Sequence, residues 1–192
     1  MPLMLEPYPT WNYQETMYRI GNIESQKLKM FARIGYLLGG RLSELLELSP
    51  DKISIDEGLI FATLRTRKVR KKSWRELINV IEDEPFYTNQ LIHFKEKDYD
   101  TIQNYVTFKR TWLEKNLRKE LGTVPHGLRH LRATHMGKQL IPSKIHQATA
   151  PYLKNYFGWE KLETASFYID KLTTSEIIQH YRKQTQDASI PQ

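Results

Sequence analysis

The stretch LGGRLSELLELSPDKISIDEGLIFATL, running from Leu38 to Leu64, decides the fold class because its hydrophobic period changes part-way. Gly39-Gly40 breaks one helical pattern, and Arg41 to Leu48 begins another, with Leu42, Leu45 and Leu46 at three- and four-residue steps. Ser49-Pro50 ends that helix, since the residue before a proline is pushed out of the helical region. From Lys52 the pattern alternates through Ile53 and Ile55, and Asp56-Glu57-Gly58 then reads as a turn. Leu59 to Leu64 is a strand-like run and Ser73 to Ile81 another, joined by the basic connection Arg65 to Lys72. A small three-stranded antiparallel sheet therefore interrupts an otherwise helical chain.

Outward from this stretch the helical period dominates. Ser25 to Leu38 repeats Leu28, Phe31, Ile34 and Leu38 on one face. Thr88 to Glu96 reads as a short helix. Thr101 to Leu121 reads as one longer helix with Ile102, Tyr105, Phe108, Trp112 and Leu113 toward the core. Pro125 precedes a helix from His126 to about Leu140, and Pro142 sits where a first helical turn tolerates proline. Pro151 to Tyr156 is closed by Gly158, and Thr164 to Ile169 and Ser175 to Lys183 complete the series, the last capped by Thr173 and Thr174. The fold class is α+β, mainly α-helical. Residues 1–24 read as an N-terminal arm or linker remnant with at most one short helix, residues 25–172 as a helical domain, and residues 173–192 as a C-terminal helix and tail.

Composition narrows the function. The 192 residues suffice for one cored domain, and a 40% hydrophobic content with four Trp and eleven Tyr argues for folding. Cysteine is absent, which excludes disulfides, thiolate metal sites and cysteine nucleophiles. Uncharged runs such as Ile34 to Gly40 are too short to span a bilayer. The net charge of +7, from 29 Lys and Arg against 22 Asp and Glu, makes nucleic acid a leading partner, although a solvated basic surface carries the same charge. Neither a HExxH pattern, a GxxxxGK[ST] loop nor a GxSxG elbow is present.

Three segments concentrate chemistry. In His126-Gly-Leu-Arg-His130, helical spacing puts His126, Arg129 and His130 on one face near a helix N-terminus, where an anion is favoured; a basic surface stripe fits the same spacing. Arg41 follows two glycines and has Glu44 one turn on, as a phosphate-binding arginine or as half of a surface pair. Gly158-Trp159 is followed by Tyr168, one of eleven tyrosines.

Together and in this order, the three resemble the catalytic domain of the tyrosine recombinases, the phage-integrase family, over roughly residues 25–185. Leu38-Gly-Gly-Arg-Leu-Ser-Glu-Leu-Leu46 resembles that family's first arginine box. His126-Gly-Leu-Arg-His130, continued by Ala133-Thr134-His135, resembles its His-x-x-Arg box. Trp159 stands at the His/Trp position, Tyr168 at the nucleophile, and the basic hairpin where the family keeps a lysine. The sequence departs from the common pattern at Trp159, where His is more frequent, and in having only about 24 residues before the first helix of the resemblance.

The resemblance implies a site-specific DNA recombinase that joins strands through a 3′-phosphotyrosyl bond without cofactor, metal or ATP. It implies catalytic roles for Tyr168, Arg41, Arg129, His126 and Trp159, and a general-acid lysine at Lys68, with Lys71 and Lys72 as alternatives. Glu44 and His130 support the site, and Arg65, Arg67, Arg70, Lys71, Lys72 and Arg132 are candidate DNA contacts. The expected partner is double-stranded DNA, bound by a monomer that assembles into a synaptic oligomer, in the cytoplasm and away from membranes. A DNA-binding module that has lost catalysis and a type IB topoisomerase-like relaxase are the competing readings. Neutralising about 6–10 phosphates predicts that DNA affinity falls roughly 1000-fold or more between 50 and 200 mM salt. A fluorescence-anisotropy salt series checks this, and a flat response would remove the nucleic-acid reading.

Overall fold

The computed structural model describes residues 8–56, 59–66, 73–80, 101–102, 109–140, 146–167 and 169. Contacts divide the chain into two compact units, Met1–Arg132 and Ala133–Gln192. The expected short helix 88–96, Tyr105, Phe108 and the tail 173–192 lie outside the described residues.

The first unit starts with α1 (Tyr13–Gly21), capped by the Asn12 side chain, which accepts from the Glu15 N–H at 2.8 Å. Ile20 and Ile23 are buried, so this part of the expected arm belongs to the core rather than to a linker. Glu24 N–H donates to Glu120 on a later helix at 3.1 Å, fastening the segment that follows. Ser25 caps α2 (Gln26–Leu38). The sequence period assigns α2 one buried face, but Met30 through Gly40 are all buried. A helix enclosed on all sides is a core element, not an amphipathic surface helix. Its polar exception is Arg33, at 9% exposure.

After α3 (Leu42–Leu46) and a short 3-10 turn, the sheet follows: β1 (Ile53–Asp56), β2 (Leu59–Thr66) and β3 (Ser73–Val80), in the order β1-β2-β3 with both pairs antiparallel. Ile53 pairs with Ala62, and Thr66 with Ser73. Along β2, Ala62 and Leu64 are buried while Phe61, Thr63 and Arg65 are partly exposed, which is the two-residue alternation of a sheet with one covered face.

The single helix expected over Thr101 to Leu121 is shorter. Lys109 is extended (φ −69°, ψ 150°), and α4 runs from Arg110 to Leu121. Ile102, completely buried, donates its N–H to the Leu48 carbonyl at 2.9 Å, a tertiary bond that competes with continuing one helix through this region. Leu113, Leu117 and Leu121 form the buried stripe of α4, and Gly122 (φ 75°) ends it. In α5 (Pro125–Leu140), Leu128 and Leu131 are buried, and Leu128 approaches α2 at Gly35.

In the second unit, α6 (His146–Phe157) begins earlier than expected and carries Pro151 inside, at the cost of one backbone hydrogen bond. Leu153, Tyr156 and Phe157 are buried, Gly158 (φ 59°) closes the helix, and residues 162–167 are helical with Ala165 buried.

Gly40 is required by close approach. A β-carbon there would lie 2.7 Å from Leu45 Cδ2 and 3.1 Å from Leu64 Cδ1, and both leucines are fully packed. We expect Gly40→Ala to lower stability by about 1–3 kcal/mol through overpacking. Gly21→Ala, with nothing within 4 Å of the added carbon, is the control and leaves stability unchanged or raised. Urea unfolding of both variants checks the pair.

Candidate active site

The site is built around the turn that ends α2. Gly39 adopts the left-handed conformation (φ 55°, ψ 26°), and its N–H bonds back to the Gly35 carbonyl at 3.0 Å. The Gly39 carbonyl accepts a hydrogen bond from Arg129 Nη1 at 2.7 Å, in a buried contact spanning ninety residues of sequence. Arg129 itself is 4% exposed. A guanidinium donating to a carbonyl away from water makes a charge-assisted bond that also fixes the plane of its fork. The first arginine segment and the His-x-x-Arg segment are thereby drawn together, since Arg41 lies only two residues beyond Gly39, at most about 7 Å of chain.

Arg41 is the N-cap of α3, where the helix dipole disfavours a cation. Glu44 offsets this. Its Oε2 accepts from the Arg41 N–H at 2.8 Å and its Oε1 from Arg41 Nη1 at 2.7 Å. The Glu44 side chain is fully buried and that of Arg41 is 22% exposed, so the acid is anchored and the base faces outward. The reciprocal half of a capping box is absent because a guanidinium has no acceptor.

Pro125 opens α5, and His126 stands exposed on its first turn with His130 partly buried one turn later. One aromatic ring lies against both: Tyr8 stacks on His130 (4.8 Å between centroids, 25° between planes) and tilts against His126 (5.3 Å, 51°). No motif in the sequence contains Tyr8. The only signal was the density of aromatics among residues 8–13.

Arg132, a candidate DNA contact by its charge, is 6% exposed, and its guanidinium carbon sits 5.4 Å from the centre of the buried Tyr36 ring beside α2. Arg65 is partly exposed on β2, opposite Trp74 in register. In the second unit, Trp159 is partly buried and stacks on Phe157 (4.9 Å, 20°), and its backbone N–H donates to the Lys154 carbonyl at 3.0 Å. Arg67, Lys68, Arg70, Lys71, Lys72 and Tyr168 lie outside the described residues. Among the described residues no group of three His, Asp or Glu could hold a metal ion, and no helix is long and apolar enough to cross a membrane.

No family model matches the chain, and no curated protein matches it. Solved structures do. The XerH site-specific recombinase bound to its difH substrate superposes with a TM-score of 0.60 at 18% identity, over 83% of this chain and 50% of that one. The Tn1549 transposon integrase in complex with transposon right-end DNA gives 0.59 at 15% identity, over 94% and 68%. A lambda integrase dimer bound to a core site gives 0.52 at 17% identity, over 81% and 45%. This is the tyrosine-recombinase fold. The chain spans about half the length of XerH. Within the recombinase fold, the Arg41 and Arg129 segments meet at the end of α2.

Removing the Glu44 carboxylate takes away the acceptor of the Arg41 N–H and one partner of its guanidinium. We expect Glu44→Ala to lower stability by about 1–3 kcal/mol, with Glu44→Gln costing less because it keeps one acceptor. Urea denaturation of the two variants side by side checks the order.

Proposed function

We propose that this chain is a catalytic domain that cuts and rejoins DNA at specific sites, with Tyr168 as nucleophile. The observation that carries the reading is the joint anchoring of two arginines: Arg129 on the Gly39 carbonyl and Arg41 on buried Glu44. Two guanidiniums held near one helix end suit the non-bridging oxygens of a phosphodiester, whose charge grows in the transition state. The recombinase fold supports the same reading.

In the proposed reaction the Tyr168 hydroxyl oxygen attacks phosphorus and the bond to the 5′ oxygen breaks. The products are a 3′-phosphotyrosyl link and a 5′ hydroxyl. Lys68 supplies the proton to the leaving oxygen, with Lys71 and Lys72 as the alternatives in the same basic connection. His126 takes part in proton transfer at the tyrosine or holds the phosphate. Trp159 donates one indole N–H to a phosphate oxygen and cannot relay a proton. The covalent link conserves the energy of the broken bond, so rejoining calls on neither ATP nor metal. Double-stranded DNA is the partner, with the chain monomeric until DNA arranges several copies. The residues 173–192 are proposed to couple neighbouring copies in that assembly.

The test is incubation with a labelled pool of nicked duplexes of randomised sequence, followed by denaturing electrophoresis. A protein–DNA adduct is expected from the wild type and none from Tyr168→Phe, whose DNA affinity stays within a few-fold. Arg41→Lys and Arg129→Lys keep the charge but lose the planar fork, and each is expected to slow adduct formation by roughly 100- to 1000-fold. DNA binding without any adduct would favour a non-catalytic DNA-binding module. An adduct accompanied only by supercoil relaxation would favour a topoisomerase-like activity.

A further inference from the structure

The N-terminal segment bears on the histidine face, and nothing in the proposed chemistry so far uses it. Residues 8–11 are pinned along their length. Tyr8 lies against His130 and His126. Pro9 Cδ comes within 3.4 Å of where a β-carbon of Gly127 would stand, a point the Thr123 side chain approaches more closely still, so the segment lies beside the first turn of α5. Trp11 passes 3.9 Å from the corresponding point at Gly122 and carries the Arg19 guanidinium on its ring at 4.5 Å. The fixed φ of proline makes the direction of Tyr8 a consequence of where Pro9 sits.

His126 is exposed on the first turn of α5, where an imidazole with nothing on its faces rotates about two bonds. A ring laid against it and against its i+4 neighbour restricts both rings. Stacking engages the faces of an imidazole, whereas its hydrogen bonds leave in the plane of the ring. On the stacked His130 the contact therefore does not compete with what the nitrogens bind, whereas the tilted contact on His126 limits how far that ring turns. We infer that Tyr8 is a positioning residue, holding His126 and His130 as a pre-set pair on the anion-facing side of α5. Its catalytic consequence rests on the recombinase reading of the site.

Two measurements on the full chain test this. Without DNA, the imidazole Hε1 resonances of His126 and His130, assigned by single replacement, report the ring current of Tyr8. Tyr8→Leu and Tyr8→Met, fillers without a ring, should move both resonances, and Tyr8→Phe should return them toward the wild-type positions. With the nicked-duplex pool, the two ringless variants should form the adduct about 3- to 10-fold more slowly, the equivalent of one aromatic pair. Their DNA affinity should change less than about 2-fold, and Tyr8→Phe should rescue the rate. Unchanged resonances in the ringless variants would overturn the contact. Moved resonances with a wild-type rate would overturn the positioning role. A wild-type chain that forms no adduct, with resonances moving as expected, would overturn the recombinase reading and leave Tyr8 established as the clamp on the two imidazoles.

Discussion

The hydrogen bond from Arg129 to the Gly39 carbonyl is the constraint on which the site depends. It needs a carbonyl turned out of the end of α2, which the left-handed Gly39 supplies. It needs the next residue to lack a side chain, because Leu45 and Leu64 already fill the space around Gly40. It needs α5 to pass close to α2, where Leu128 packs at Gly35. Two adjacent glycines thus serve one contact in two ways: a backbone conformation and an absence of volume.

Local chemistry was legible where both partners are near in sequence. Arg41 and Glu44 are three residues apart, and their pairing follows from helical geometry alone. The strand at Ile53 to Asp56 and the helix ending at Leu38 were legible for the same reason. The Arg129 contact was not, because ninety residues of chain intervene and no local pattern encodes which carbonyl a buried guanidinium will meet. Tyr8 was missed because a single aromatic in a segment without period carries no information about the ring it will face.

The errors in the helices share a cause. Periodicity counts apolar residues on one face, and so it describes α2 as amphipathic when neighbours enclose it. It also carries a helix through Lys109, where neither glycine nor proline marks a stop, although a long-range bond holds Ile102 to Leu48. Arg132 follows the same logic. Its charge suggested the surface, yet its long apolar stem and flat guanidinium suit a buried aromatic. Tertiary packing overrode the local signal in each case.

The enclosure of α2 also bears on how the molecule opens. Amides of a helix buried on every side exchange with solvent only when a large part of the structure unfolds, whereas strand edges and exposed first turns exchange through small local openings. Gly39 terminates that buried helix, so the carbonyl that orients Arg129 is tied to an element whose amides are expected to exchange late. His126, exposed on the first turn of α5, sits where small local openings suffice. One arginine is thus referenced to the buried core while its neighbouring histidines depend on a contact at the surface, which divides the site into an anchor and an edge.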